Sequence, residues 1–368
     1  MTTNRMTGLE NVVAARTRLS RVEGEAGRLT IAGYPVEEIA PRLTFEEVAH
    51  LLWHDRLPDA VERRGLEDAF RSAATLPEPG LDILRAAALE DAAPMDALRA
   101  GVASLCLRQP GPAGLIGALP AIVAAHWRLQ SGREPIRPRD DLALAGNFLY
   151  LLRGEGPSAA EARGMETYLN TVVDHGMNAS TFTARVITST ASDLGSAIEG
   201  ALGALKGPLH GGAPGPALAA LQELRAGGED LDARTRAWVR ATVADGGRIM
   251  GFGHRVYRVR DPRADVLLGA ARDLLAGTGL YDDALVFERA VLETLAELKP
   301  GRRLATNVEF ATALLLHGIG LDDPLFTPAF AVGRAVGWVA HIEEQRREGR
   351  LIRPRAEYVG PEGLALPD

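Results

Sequence analysis

Apolar residues recur at three- and four-residue spacing through most of the chain, and this period predicts amphipathic helices. Capping signals mark the start of two of them, at Thr44-Phe-Glu-Glu47 and at Ser158-Ala-Ala-Glu161. Strand-like alternation is confined to residues 16–22 and 28–34, which flank the turn 23–27. The pattern therefore predicts an all-α protein with one small N-terminal β-hairpin.

The helical pattern breaks at two glycine-rich loops. Small residues fill positions 178–205, so close helix–helix contact is expected there, at the centre of the fold or at a subunit interface. Residues 206–216 follow, mostly Gly and Pro, with His210 in the middle. A second loop, 251–257, repeats the arrangement with His254. Two such loops favour a functional site over incidental helix connections.

Composition narrows the classes of function. The 368 residues carry a formal net charge of −7, which argues against a nucleic-acid binder. The single Cys106 excludes an intrachain disulfide, and no Cys/His cluster predicts a structural metal. The N-terminus has no apolar segment typical of a secretory signal, and the longest apolar run, 113–127, is too short to cross a bilayer. We expect a cytoplasmic protein without membrane partners.

Three of the eight histidines lie at breaks in the helical pattern: His175, His210 and His254. Imidazole titrates near neutrality and can both donate and accept a proton, so these three are the candidates for chemistry. A structural or surface role is favoured for the others, which lie within helical patterns: His50, His54, His126, His317 and His341.

Charged residues next to the second loop suggest an anion pocket. Arg255, Arg258 and Arg260 are followed by Arg263, and guanidinium groups bind carboxylate or phosphate through two parallel hydrogen bonds. The alternative is a solvated basic segment before a helix. Glu309 opens a later apolar helix, where it is either a favourable first-turn carboxylate or a base with a raised pKa. The spacing leaves both alternatives open.

Taken together, these motifs resemble the citrate synthase family over nearly the whole chain. The resemblance is carried by these segments: Gly8-Leu-Glu10, 23–27, Asp174-His175 with 178–182, 207–212, 251–257 with 261–263, 307–310, Gly333-Arg334 and Arg353-Pro354. It implies an almost entirely helical fold, with a large domain (1–215 plus 320–368) and a small one (216–319). It also implies an obligate homodimer that shares its active sites.

The resemblance implies condensation of acetyl-CoA with oxaloacetate, then thioester hydrolysis to citrate and free CoA, with no tightly bound cofactor. Glu309 would take a proton from the thioester methyl, and His210 would donate to the enolate oxygen. His254 would protonate the ketone oxygen of oxaloacetate. Closure of the small domain would exclude water.

Substrate-binding roles follow from the same resemblance. Oxaloacetate would be held by His175, Arg263, Arg334 and Arg353, with Arg353 supplied by the second subunit. The CoA phosphates would meet basic residues among Arg255, Arg258, Arg260, Arg302 and Arg303.

Two positions depart from the family pattern: Glu309 stands where most members carry Asp, and Gly176 where many carry Glu. Three alternatives stay open. The first is a 2-methylcitrate synthase that uses propionyl-CoA. The second is a ligand-binding relative that has lost carbon–carbon bond formation. The third is a metal-dependent hydrolase built on Glu309 and the three loop histidines, although the neighbouring arginines would repel a cation.

Overall fold

The structure, a computed structural model, describes residues 8–9, 12–211, 215–228, 230–253, 257, 259–302 and 304–366. Helices dominate these residues, as the hydrophobic period predicts, and they run as follows: α1 Val36–Ile39, α2 Phe45–His54, α3 Ala60–Ala73, α4 Glu78–Leu89, α5 Pro94–Cys106, α6 Pro112–Gln130, α7 Leu144–Arg153, α8 Ala159–Val172, α9 Ala179–Thr188, α10 Leu194–Leu205, α11 Gly215–Ala226, α12 Leu231–Ala244, α13 Pro262–Leu274, α14 Leu280–Leu298, α15 Val308–Ile319 and α16 Phe326–Glu348. A 3₁₀ turn, Asp323–Leu325, precedes α16.

The predicted hairpin is present and has a third, short strand. β1 (Ser20–Glu23) pairs antiparallel with β2 (Arg28–Ile31), so that Ser20 lies opposite Ile31. β2 also pairs with β3 (Tyr34–Pro35), which leads directly into α1. Leu29 and Ile31 point into the core, so the sheet is anchored by one apolar face.

Both predicted capping boxes are confirmed. The Thr44 hydroxyl accepts from the Glu47 N–H at 3.2 Å, and the Glu47 carboxylate accepts from the Thr44 N–H at 2.8 Å. Ser158 and Glu161 form the same reciprocal pair at the start of α8. Such a box satisfies two backbone donors that no helical hydrogen bond can reach, and so it determines where the helix begins.

Helix α4 is absent from the sequence prediction. Pro79 and Gly80 in its first turn suggest a loop, yet proline is well tolerated at the first positions of a helix because its missing N–H would be unpaired there. Gly80 and Leu84 are buried where α4 packs on α5 and α6. Tertiary packing therefore outweighs the local loop signal.

Helix α16 is the central helix of the core. It packs against α2, α5, α6, α8, α9 and α10, and Trp338 is fully buried. Together with the preceding turn it is the one candidate membrane span by length and composition within the described residues, and 89% of its most apolar window is buried inside the protein. Its apolar character is accounted for by this packing.

The predicted small-residue helix pair is confirmed as α9 packed on α10. A Cβ added at Gly200 would lie 2.2 Å from Ile187 Cδ1, so the Ile187 side chain fills the space that the glycine leaves free between these helices. The division into two domains stays a prediction. Helices α13 and α15, both within the proposed small domain, pack on each other, and both contact α8 of the proposed large domain.

Candidate active site

The first glycine-rich loop turns immediately after α10 and presents His210. The N–H groups of His210 and Gly211 donate to Gly207 O at 2.9 and 3.1 Å, which closes a tight turn. A Cβ at Gly211 would lie 2.2 Å from Leu205 O, so only glycine fits where the chain passes back over the helix end. The predicted break is thus confirmed up to residue 211, and residues 212–214 lie outside the described part of the chain.

His210 is held from the N-terminus of α9. The Ser180 N–H donates to His210 Nε2 at 3.3 Å, and the Ser180 hydroxyl oxygen lies 2.7 Å from the same nitrogen. These two contacts anchor the ring through Nε2. Burial, together with the positive charge of Arg334, lowers the pKa of His210 to about 4. At neutral pH the ring is therefore an uncharged hydrogen-bond donor.

One face of α16 supplies the support for this site. Trp338 Nε1 donates to the Ser180 hydroxyl at 3.1 Å, and Arg334 Nε donates to Val172 O at 2.6 Å. A Cβ at Gly337 would lie 2.2 Å from Val173 O, so the glycine lets α16 lie against the end of α8. Sequence reasoning missed Ser180 and Trp338, although Trp338 lies four residues after Arg334 and so shares its helix face.

The second glycine-rich loop is joined to the segment that carries Glu309. The Gly253 N–H donates to Ala305 O at 2.7 Å, and the Asn307 N–H donates to Gly251 O at 3.0 Å. The Asn307 side chain also donates to Gly253 O at 3.0 Å. His254, the next residue, lies outside the described residues. The backbone segments that precede two predicted catalytic residues, His254 and Glu309, are thus paired with each other.

Glu309 lies in the first turn of α15, half-buried. Asn307 caps this helix by accepting from the Glu309 N–H at 2.9 Å. Burial raises the pKa of the Glu309 carboxyl above its ordinary value, against the lowering effects of the Gly251 N–H, Asn307 and the charge of Arg263. A carboxylate with a raised pKa is a stronger base than an exposed one.

Two buried arginines lie near these groups. Arg263 and Arg334 are 4% and 1% exposed. The Asp261 carboxylate accepts two hydrogen bonds from Arg263, from Nε at 3.0 Å and from Nη2 at 2.7 Å. Burial and the neighbouring Arg263 lower the pKa of Arg334 to about 10, and Asp174 opposes this shift. The centre therefore holds two buried guanidinium groups, the donors that bind carboxylates, each with an aspartate nearby.

The other predicted binding residues fall into three groups. His175 Nε2 lies 3.2 Å from the Tyr257 hydroxyl, and both belong to segments next to the arginine pair. Arg260 is bound by Asp265 and Glu288. Arg302 and Arg353 are exposed, and Arg353 lies on the irregular C-terminal segment. The remaining predicted residues lie outside the described residues: His254, Arg255, Arg258 and Arg303. No His, Cys, Asp or Glu cluster that could hold a metal ion occurs in the described ranges.

Comparisons with known proteins agree with the motifs. The family profile described as "Citrate synthase, C-terminal domain" matches residues 8–355. The chain is 40% identical to citrate synthase 2 of Bacillus subtilis, over 96% of each chain. It is also 37% identical to a 2-methylcitrate synthase of Mycobacterium tuberculosis, over 98% of this chain and 92% of the relative.

Solved structures share the fold. A citrate synthase from Pyrobaculum aerophilum superimposes with a TM-score of 0.86 at 36% identity, over 98% of this chain and 93% of that one. A citrate synthase from Thermoplasma acidophilum, in complex with carboxymethyl coenzyme A and oxaloacetate, has a TM-score of 0.87 at 31% identity, over 98% of this chain and 97% of that one.

Proposed function

The chain belongs to the citrate synthase family, and we propose that it condenses acetyl-CoA with oxaloacetate and hydrolyses the joined thioester to citrate and free CoA. This is an acyltransferase reaction in which the acyl group becomes an alkyl group on transfer. It requires a dianion site, a base for a weak carbon acid and a donor for the enolate oxygen.

The observation that carries the proposal is the buried pair Arg263 and Arg334. Two neighbouring guanidinium groups are costly to bury; Asp261 and Asp174 offset part of that cost, and a negative ligand would offset more. Oxaloacetate carries two carboxylates and would act as such a ligand. The fork with Asp261 uses Nε and Nη2 of Arg263, so Nη1 would meet a substrate carboxylate. His175 would add a hydrogen bond.

Glu309 and His210 supply the first chemical step in this proposal. The Glu309 carboxylate takes a proton from the methyl carbon of acetyl-CoA, and the electrons of that C–H bond form an enolate. His210, uncharged at neutral pH, donates a hydrogen bond to the thioester oxygen as negative charge develops there. A neutral donor suits this task because it stabilises the enolate without being consumed as an acid.

Bond formation and release complete the reaction. The enolate carbon attacks the ketone carbon of oxaloacetate, and the ketone oxygen takes a proton, a role that we assign to His254 by family resemblance. Water then attacks the thioester carbonyl, and CoA leaves as its thiol. We assign the CoA phosphates to basic residues near this loop, by the same resemblance: Arg255, Arg258, Arg302 and Arg303. Arg260 is already bound by Asp265 and Glu288.

A second subunit is part of the proposed site. By family resemblance, Arg353 binds oxaloacetate in the active site of a partner subunit. Its exposure on the C-terminal segment of the single chain is consistent with that role. The segment also exposes Leu351, Tyr358 and Val359, apolar side chains that a partner would cover. We therefore propose a homodimer with shared active sites.

Propionyl-CoA is the second candidate substrate, because a 2-methylcitrate synthase is among the similar proteins. One additional methyl group changes binding by about 1–3 kcal/mol, so the two activities can coexist in one pocket. Values of kcat/KM for the two acyl-CoA substrates, measured on the same preparation, distinguish them.

The test of the proposed function is oxaloacetate-dependent release of CoA thiol from acetyl-CoA by the pure protein. We expect release by the wild type and a large loss in Glu309→Gln. Glu293→Gln, an exposed change on α14, is the matched control and should keep the activity. Hydrolysis that does not depend on oxaloacetate, or no release at all, would contradict the proposal.

A further inference from the structure

Glu288 is a buried carboxylate that no step of the proposed reaction uses. It lies on α14, and only 7% of the residue is exposed. A buried carboxylate is costly unless it is paired and hydrogen-bonded, so its partners indicate why it is there.

One oxygen of Glu288 bridges two separate segments of the chain. Its Oε1 lies 2.5 Å from Arg260 Nη1, and the Thr306 hydroxyl donates to the same oxygen. Arg260 precedes Arg263 by three residues, and Thr306 precedes Glu309 by three residues. The carboxylate therefore holds the chain just before a proposed substrate-binding residue and just before the proposed base.

The segment at Thr306 is in turn paired with the second glycine-rich loop. Phe252 and Thr306 form an isolated antiparallel bridge, flanked by the backbone hydrogen bonds of Gly253 and Asn307. Phe252 also packs against Phe287, the neighbour of Glu288 on α14, with ring centroids 6.1 Å apart. The loop, the start of α15 and the start of α13 thus share one attachment point on α14.

We propose that Glu288 is a positioning residue of the reaction, which sets Glu309 and Arg263 in register by holding Thr306 and Arg260. The inference rests on the proposed function. We call the contacts of Glu288 with Thr306 and Arg260 the clamp. Arg260 then acts in the clamp instead of at the CoA phosphates, since its Nε is also bound by Asp265 at 2.5 Å. A displacement of about 1 Å at a reacting group costs on the order of 100-fold in rate, so the clamp matters to catalysis without touching substrate.

The test compares Glu288→Gln with Glu297→Gln. Glu297 lies on the same helix and also binds an arginine, Arg240, but Arg240 is on α12, which carries none of the predicted site residues. The first readout is hydrogen–deuterium exchange at peptides containing Gly253 and Asn307. The second is kcat and KM for oxaloacetate. A second pair, Thr306→Val and Thr306→Ser, removes or keeps the hydroxyl and serves if Glu288→Gln does not fold.

For Glu288→Gln we expect exchange at both peptides to quicken about tenfold and kcat to fall about tenfold or more, with KM changing less than about threefold. Glu297→Gln should match the wild type, and Thr306→Val should lose more kcat than Thr306→Ser. Equal exchange and equal kcat in the two glutamine variants would overturn the proposal while leaving the proposed function intact. A wild type without oxaloacetate-dependent thiol release would contradict the function, and the exchange comparison would still decide whether Glu288 holds the two segments.

Discussion

His341 and Asp174 are paired in the core, with Nε2 of the imidazole 3.1 Å from Oδ1 of the carboxylate and both side chains fully buried. Arg185 Nη1 lies 2.9 Å from the other ring nitrogen, Nδ1. A guanidinium can only donate, so Nδ1 accepts, and Nε2 of the ring donates to Asp174. Burial would raise the pKa of Asp174, but His341, Arg334 and Ser20 together hold it below its ordinary value. The chain thereby keeps a negative charge next to His175 and Arg334.

Replacing His341 by Leu should destabilise the protein by about 3 kcal/mol, because Asp174 and Arg185 each lose a buried partner. Urea unfolding followed by far-UV circular dichroism measures the change. His54→Gln, at an exposed position, is the control and should shift stability by less than about 0.5 kcal/mol. Equal unfolding midpoints for the two variants would show that the contacts of His341 with Asp174 and Arg185 do not stabilise the fold.

Glu46 should make stability fall as pH rises. Burial, with a smaller contribution from Glu166 and Glu67, raises its pKa from 4.5 to about 7. A raised pKa in the folded state means that the stabilisation is complete below the unfolded value and is lost as pH rises from about 4.5 through about 7. Each unit of pKa corresponds to about 1.4 kcal/mol, so the loss at pH 8 is at most about 3.5 kcal/mol.

Glu46→Gln should remove that loss, because a neutral amide keeps the oxygen that accepts from the Leu144 N–H at 2.9 Å. The variant is expected to gain stability over the wild type at pH 8 and to gain much less at pH 5, as measured by denaturant unfolding at both values. Glu223→Gln, at an exposed position on α11, is the control. The same difference at both pH values would contradict the assignment.

Glu309→Asp should lower kcat by about 100-fold, since shortening the side chain by one methylene moves the base by about 1 Å. The Gly251 N–H and Asn307 are arranged around the longer side chain, so the pocket does not follow the shorter one. Steady-state kinetics with acetyl-CoA measure the effect, with Glu293→Asp as the surface control. A faster enzyme would mean that the glutamate is a handicap in this chain.

The shared-site proposal predicts complementation between two inactive variants. In a dimer of Arg353→Ala with His210→Ala chains, one site combines an intact His210 with an intact Arg353 from the partner. Co-expression should therefore restore about a quarter of wild-type activity, because half of the dimers are mixed and each has one intact site. Each variant purified alone supplies the baseline. No recovery in the mixed dimers would place Arg353 outside the partner's site.

Local chemistry explains which parts of the fold were predictable. The capping boxes at Thr44 and Ser158 satisfy backbone donors within three residues, and the hairpin pairs neighbouring segments, so both were predicted correctly. Helix α4 was missed because its Pro and Gly are loop signals, which burial against α5 and α6 overrides. The two glycine-rich loops were recognised from composition, but Ser180 and Trp338, which hold His210, were not.

The residues and their order along the chain were sufficient to predict the helices, the breaks between them and the residue types available for chemistry, because hydrophobic period, caps and glycine act over a few residues. Partnerships over more than a hundred residues were not predictable in this way, such as Arg334 with Val172 O or His341 with Asp174. The same holds for Arg260, whose charge is paired in the fold with the buried carboxylate of Glu288. Ionisation and partner choice depend on burial and on which charges meet, and these arise only when distant helices pack together.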